Sequence, residues 1–187
     1  MIFPEINTLR LKLRPFCEDD LETFTKYRND PLVAKYQSWE TYDIDKAREL
    51  FKNSCQLFNE PNTDSWYQCC IVNKENNMVG DCAIHFLGYD NTIEIGFTIA
   101  TEHQNKGYAT EAVGALIEYM FIQLDFHRIT ATLDVLNISC MKLLEKLKFR
   151  REGHYIDNTF FKGSWGSEYQ YAILKSEYII LPIDSVI

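Results

Sequence analysis

The sequence predicts an α/β domain of three layers: a mixed, mostly antiparallel central sheet of about six or seven strands, flanked by about four helices. Three observations lead to it. Segments in the middle of the chain alternate apolar and polar residues and are separated by short polar turns. Segments on either side space their apolar residues by three and four, the helical period. Read in order, the pattern is strand, two helices, three strands, helix, strand, helix and two strands.

Leu9-Arg10-Leu11-Lys12-Leu13-Arg14 alternates as a half-buried strand, and Pro15 ends it. Helical spacing runs from Glu18 to Tyr27, with acidic residues in the first turn, until Asn29-Asp30-Pro31 breaks the chain. A second helix is expected from about Ile44 to Phe58, stopped by Glu60-Pro61-Asn62. Strands follow at Trp66 to Val72, Met78 to Phe86 and Thr92 to Ile99. The turns between them, Asn73 to Asn77 and Gly88 to Asn91, are short enough to make an antiparallel meander. Gly107 to Leu124 is helical, His127 to Val135 is a strand and Ser139 to Leu147 is helical again. Strands at Phe149 to Phe161 and Tyr169 to Leu174 flank a turn of Lys162-Gly163-Ser164-Trp165-Gly166. Residues 1–175 therefore read as a single domain and 176–187 as a tail. Ile179-Ile180-Leu181-Pro182-Ile183 is too apolar for a solvated tail and is expected to pack on the domain or on a second copy, so a homodimer is an expectation.

The net charge of −8 disfavours a nucleic-acid partner, which requires clustered Lys and Arg. The same acidity suits a cationic partner or simply keeps the protein soluble. The N-terminus lacks a basic segment followed by an apolar run, and no apolar stretch approaches the roughly 20 residues that span a bilayer, so no membrane partner is expected. Six cysteines without C-x-x-C spacing read as reduced, core-filling thiols, and the expected location is cytoplasmic. The four histidines form no metal-like cluster, so no metal is expected.

The segment Gln104-Asn105-Lys106-Gly107-Tyr108-Ala109-Thr110-Glu111-Ala112 joins a strand to an amphipathic helix. Small residues let the backbone turn tightly, so successive N–H groups and the positive end of the helix can converge on an anion. A plain helix start after a turn is the alternative. The segment has neither a Walker loop nor the G-x-G-x-x-G of dinucleotide-binding folds.

Gln104-x-x-Gly107-x-Ala109 resembles the pyrophosphate motif of the GNAT N-acetyltransferases. Leu9-x-Leu11-x-Leu13-Arg14-Pro15, Tyr27-Arg28-Asn29-Asp30-Pro31 and Glu94-Ile95-Gly96-Phe97 are similar to the RimJ and RimL type within that family. So are Gly107-Tyr108-Ala109-Thr110-Glu111-Ala112, Asn137-x-Ser139 and Leu144-Glu145-Lys146-Leu147-x-Phe149, in the family's order from about Leu9 to Leu174. The resemblance implies a GNAT-like fold whose sheet splays into a V near Ile129 to Asp134. It implies acetyl-coenzyme A as cosubstrate and a primary amine, a protein N-terminus or a small cationic amine, as acceptor. The amides of Gln104, Asn105, Lys106, Gly107, Tyr108, Ala109 and Thr110 would hold the pyrophosphate. The backbone of Phe97, Thr98 and Ile99 would hold the pantetheine arm, together with Asn137.

Amide formation from an alkylamine of pKa ~10 needs a base, a polarised thioester and a proton for the leaving thiolate. Alternation puts Glu94 on one strand face with Gly96 and Thr98, and in many relatives a Glu on this strand is the base; a solvated strand residue is the alternative. The family's usual acid, a Tyr, is replaced here by Leu144, which moves the role to Ser139. Asn137 and Ser139 also read as an ordinary helix N-cap. Glu168, one residue beyond the Asp of a G-x-W-x-D pattern that here ends in Ser167, is a second candidate base. Lys148 stands where the family has Gly, so the helix end is expected to differ locally. Attack is expected to be direct, in a ternary complex. The competing reading is a non-catalytic acyl-coenzyme A sensor or interaction module of the same fold, which the missing Tyr and Ser167 favour and the presence of Glu94 and Ser139 opposes.

Overall fold

In the computed structural model, which describes residues 2–37, 39–55, 58, 64–88 and 90–180 (side chains of 179 and 180 excepted), the N-terminal alternation forms a hairpin of β1 (Ile6–Asn7) and β2 (Leu11–Pro15). Leu11 and Leu13 are fully buried while the residues between them face outward, as period two requires. Helix α1 (Asp20–Arg28) follows, with Asp20 and Glu22 in its first turn and Lys26 and Arg28 in its last, matching the helix dipole. Arg14 anchors it through two bonds to Asp20, at 2.7 and 2.8 Å. Asn29-Asp30-Pro31 breaks the chain as expected and also starts a one-turn helix, α2 (Pro31–Ala34). The Asp30 side chain caps Leu32 N–H, and Pro31 begins the turn where its missing N–H costs nothing.

Helix α3 (Ile44–Ser54), capped by Asp43, stops before the expected Phe58. Phe58 lies outside the helix, fully buried against the rings of Phe3, Tyr67 and Phe86. The expected stop at residues 60–62 falls outside the described residues. The meander forms as β3 (Ser65–Asn73), β4 (Met78–Phe86) and β5 (Thr92–Ile99), all antiparallel. Adjacent Cys69 and Cys70 on β3 point to opposite faces and are both fully buried, so this half of the sheet is covered on both sides. One face packs on α4 (Tyr108–Glu118), which ends in a π-helical turn at Tyr119–Gln123. The other packs on α1 and α3 through Phe24, Tyr27, Tyr42 and Ala47.

β6 (Arg128–Asp134), α5 (Ile138–Lys146), β7 (Arg150–Phe161), β8 (Ser164–Leu174) and α6 (Lys175–Ile180) complete the fold. The last hairpin turns on Lys162 and Gly163 alone, both with positive φ; Ser164, Trp165 and Gly166, expected in the turn, are paired strand residues. At the end of α5, Lys148 adopts a left-handed φ of 68°; its N–H reaches Glu145 O and Phe149 N–H reaches Leu144 O, which closes the helix. Helix α6 occupies the start of the expected tail, and its Tyr178 ring lies 5.4 Å from Phe121; residues 181–187 fall outside the described residues.

The sheet has eight strands in the order β1-β2-β3-β4-β5-β6-β8-β7, and six α-helices are described, where about six or seven strands and about four helices were expected. The additions are short: the two-residue β1, one-turn α2 and terminal α6 carry too little periodicity to register. The only parallel pair among the described strands is β5–β6, and it lasts three rungs, Thr92 with Arg128, Ile93 with Ile129 and Glu94 with Thr130. Beyond Glu94 the two strands separate, which is the expected V-shaped splay.

Candidate active site

The loop leaving β5 makes a 3₁₀ turn at Thr101–His103, then places Asn105 and Gly107 at φ of 59° and 79°. Gly107 is the residue before α4, and no side chain caps that helix, so its first amides remain free for an anion. An added Cβ at Gly107 would also sit 3.2 Å from the Arg10 guanidinium. Gln104 Nε2 donates to Ile99 O at 2.9 Å, tying the loop back to the strand end. Arg10 donates to Lys106 O at 2.8 Å and to Glu111, which fixes the loop from the far side.

A cavity of about 440 Å³ lies beside this loop. Of the residues expected to hold the cosubstrate, Phe97, Thr98, Ile99, Gln104, Asn105, Gly107, Tyr108, Ala109, Thr110 and Asn137 line it, and so does Ser139. Lys106 does not; its carbonyl is held by Arg10. Past Glu94, β5 has no strand partner on its β6 side, so the outward backbone groups around Phe97 are open to an extended arm, while Ile99 O is taken by the Gln104 side chain. These features fit acetyl-coenzyme A: free amides for the pyrophosphate and an unpaired strand edge for the pantetheine. Lys142 and Lys146, four apart on α5, also line the cavity and supply cationic charge near it. Sequence reasoning missed them, although their i, i+4 spacing was legible.

A second cavity, of about 370 Å³, lies across the V. Tyr36, Gln37, Phe97, Thr98, Asn137 and Cys140 line both, so the two spaces meet where β5 and β6 part. Its walls include Trp39 and Trp66, and its floor includes Gln68, Asp81, Ala83 and Gly96. Two contacts join the N-terminal helices to the C-terminal half of the chain near it: the hydroxyl of Tyr36, which lines both cavities, donates to Leu136 O at 3.1 Å, and Lys162 Nζ donates to Ala34 O at 2.5 Å.

Asp81 is almost fully buried on this floor and accepts from the Tyr27 hydroxyl, Gln68 Nε2 and Arg28 Nη2, the last at 3.2 Å. Arg28 in turn lies against the rings of Phe24, Trp39 and Tyr42, at 4.1, 4.3 and 5.1 Å from their centres. Burial pushes the Tyr27 hydroxyl well above its ordinary value, reinforced by the Asp81 charge, and so keeps it a donor. Burial opposes the Arg28 charge, but Asp81 and the surrounding hydroxyls outweigh it. Asp81 was absent from the sequence reading. Its signal was a carboxylate in the otherwise uncharged run from Met78 to Ile84.

Glu94 sits at the last rung before the V opens, on the face that carries Gly96 and Ala83. It borders the second cavity and is not among its lining residues; its side chain is 26% exposed and Oε2 lies 3.8 Å from His85 Nδ1. Ser139 is in the first turn of α5 and exposed to the first cavity. Asn137 caps the same helix, accepting from Cys140 N–H at 3.2 Å, so it serves the cap and the cavity together. Leu144 is fully buried in the core and offers no proton. Glu168 accepts from Asn158 Nδ2 at 2.5 Å and lines neither cavity. Burial pushes the Cys140 thiol up to about 12, which leaves it protonated and a poor nucleophile at neutral pH.

Comparison with known proteins gives a consistent result. The family description "Acetyltransferase (GNAT) domain" matches residues 10–150. The uncharacterised N-acetyltransferase p20 of Bacillus licheniformis is 33% identical over 175 residues, covering 91% of this chain and 96% of that protein. An acetyltransferase of the GNAT family from Bacillus anthracis superposes with a TM-score of 0.83 at 30% identity, over 93% of this chain and 100% of that one. Spermidine N-acetyltransferase from Vibrio cholerae, solved in complex with CoA and spermine, superposes with a TM-score of 0.79 at 25% identity, over 92% and 99%.

Proposed function

The chain belongs to the GNAT acetyltransferase family, and on that premise we propose how this N-acetyltransferase moves an acetyl group from acetyl-coenzyme A to its amine. The observation that carries the reading is the meeting of two cavities at the point where β5 and β6 separate. Bound in the first cavity, the cosubstrate supplies a thioester carbonyl. The amine enters from the second, and neither needs to leave for the other to react, so attack is direct. Glu94 removes the ammonium proton, through a water because it borders the cavity without lining it. Ser139, within the first cavity, donates to the departing thiolate. Asn137 orients the pantetheine arm while capping α5.

The acceptor is a small cationic amine in preference to a protein N-terminus. The Tyr36–Leu136 and Lys162–Ala34 contacts tie the two halves of the chain together near the second cavity, an arrangement that suits a slender amine better than a protein segment. Trp39, Trp66 and Tyr36 line the cavity with aromatic rings, a lining that suits a cation. Asp134 lines the cavity and Glu94 borders it, while the charge of Arg28 is matched by Asp81. Binding of spermine by the Vibrio cholerae relative agrees with this class. A homodimer belongs to the same proposal; it is supported by the exposed Ile156, Phe160 and Trp165 on the edge hairpin β7–β8.

The test is thiol release from acetyl-coenzyme A across a panel of spermidine, spermine, simple diamines and short peptides with free N-termini. Turnover confined to the polyamines and diamines supports the assignment. Turnover of the peptides alone overturns it. Full activity of Glu94→Gln on the preferred amine removes Glu94 as base.

A further inference from the structure

We infer that His85 is a positioning residue that carries the acceptor's proton from Glu94 to solvent. The inference rests on Glu94 being the base. The two residues face each other across the β4–β5 register, with Nδ1 3.8 Å from Glu94 Oε2. Nδ1 is buried and has no hydrogen-bond partner. The ring's other nitrogen, Nε2, contacts the Asp64 carboxylate, whose side chain is 78% exposed. The ring is held by the Trp66 indole, stacked at 4.2 Å with 8° between planes. Glu94, His85 and Asp64 therefore form a file that starts at the mouth of the V and ends in water.

The chemistry of the three groups gives the file a direction. An ionised Asp64 only accepts, so Nε2 holds the ring proton and Nδ1 of the neutral imidazole presents a lone pair. That lone pair faces the oxygens of Glu94, which also only accept while ionised. The arrangement lacks one proton, and the reaction delivers one. An ammonium and a thioester enter; a neutral amide and a thiol leave; one proton is surplus. It passes in order from the ammonium nitrogen to Glu94, from Glu94 to His85 Nδ1, and from His85 Nε2 through Asp64 to water, which leaves the ring proton on Nδ1. As the products leave, water entering the mouth of the V takes that proton while Nε2 regains one through Asp64, so the file returns to its starting charge and tautomer. Among the described residues, the charged groups facing the ring are Asp64, ahead of β3, and Glu94, on β5; Asp81, four residues along β4, is engaged by Tyr27, Arg28 and Gln68. Helix α3, above this face, contributes Leu50 and Ser54 to the cavity and no charge.

The experiment measures kcat against pH for His85→Gln, Glu94→Gln and the double variant, using the amine turned over fastest in the panel. His85→Gln is expected to lower kcat five- to tenfold at pH 7 and leave the KM for acetyl-coenzyme A unchanged. The deficit should shrink toward pH 9–10, where a growing share of the amine itself arrives neutral, a relief that a merely structural defect would not show. The double variant should be no slower than Glu94→Gln alone. A His85→Gln rate within twofold of the parent, a deficit constant with pH, or multiplying effects in the double variant overturns the relay. If Glu94→Gln is fully active the base assignment itself has failed; if it is slow and His85→Gln is not, the relay alone has failed. Should His85→Gln not fold, Asp64→Asn tests the exit at an exposed position: a two- to threefold loss with the same pH relief supports the file, and an unchanged rate overturns it.

Discussion

Glu111 clasps Arg10 with both carboxylate oxygens, accepting the backbone N–H at 2.6 Å and Nε at 2.7 Å, although 101 residues separate them in the chain. Arg10 then reaches Lys106 O, so a hairpin at the far edge of the sheet holds the loop that cradles the pyrophosphate. Arg10→Ala and Glu111→Gln should therefore raise the KM and Kd for acetyl-coenzyme A by about tenfold, the scale of a lost hydrogen bond to a charged group, and leave kcat nearly unchanged. Calorimetric binding with steady-state kinetics checks this; a fall in kcat at unchanged KM would place the clasp elsewhere in the mechanism.

Ser139→Ala should lower kcat by roughly 100-fold, the usual contribution of a positioned acid, with little change in cosubstrate binding. Because Leu144, the position to which the family resemblance would assign a Tyr, is fully buried in the core, Leu144→Tyr should not rescue the loss without disturbing that core. A Ser139→Ala rate within threefold of the parent would assign proton donation to water.

Asp81 is the buried counter-ion of Arg28, with side-chain exposures of 2% and 7%. Asp81→Ala leaves that charge unmatched and should destabilise the fold by about 3–5 kcal/mol, whereas Asp81 and Arg28 replaced together by residues of similar volume should lose much less. Urea unfolding of the single and double variants measures the difference, and equal losses would contradict the pairing.

Lys148 occupies a left-handed conformation that costs a side-chain-bearing residue about 1–2 kcal/mol. Lys148→Gly removes the cost and gives some of it back as unfolded-chain entropy, so a net gain of about 0.5–1 kcal/mol is expected. A lower melting temperature would show that the lysine side chain stabilises the turn by other means.

Acid should loosen the same architecture. Burial alone would raise the carboxyls of Asp20 and Glu111, but hydrogen bonds from Arg14 and Cys17 to the first, and from Thr8 and Arg10 to the second, hold both below their ordinary 3.8 and 4.5. A depressed folded value means the stabilisation is complete above the ordinary value and is lost as pH falls through the folded one beneath it. Melting temperature should thus hold from pH 7 to about 5 and decline below about 4.5, with a smaller decline in Glu111→Gln.

The strands of the meander were legible to within a residue because alternation over seven or more positions is a strong signal, and Thr92 to Ile99 and Met78 to Phe86 matched at both ends. Phe58 was misassigned to a helix because an apolar residue in helical register carries no mark of which partner it meets. Its partners, Phe3, Tyr67 and Phe86, come from three other segments.

By itself the sequence determined the order of the main elements and the tight turn of small residues into α4, because caps, turns and periodicity are local and act over a few bonds. Together with the family resemblance it also singled out Glu94, by strand alternation, and Ser139 and Asn137, at a helix start. Only the tertiary structure decided what those residues face. The Arg10–Glu111 clasp, the Arg28–Asp81 pair and the file from Glu94 to Asp64 each join elements far apart in the chain, and pairing register, which a one-residue slip would invert, sets which side chains meet.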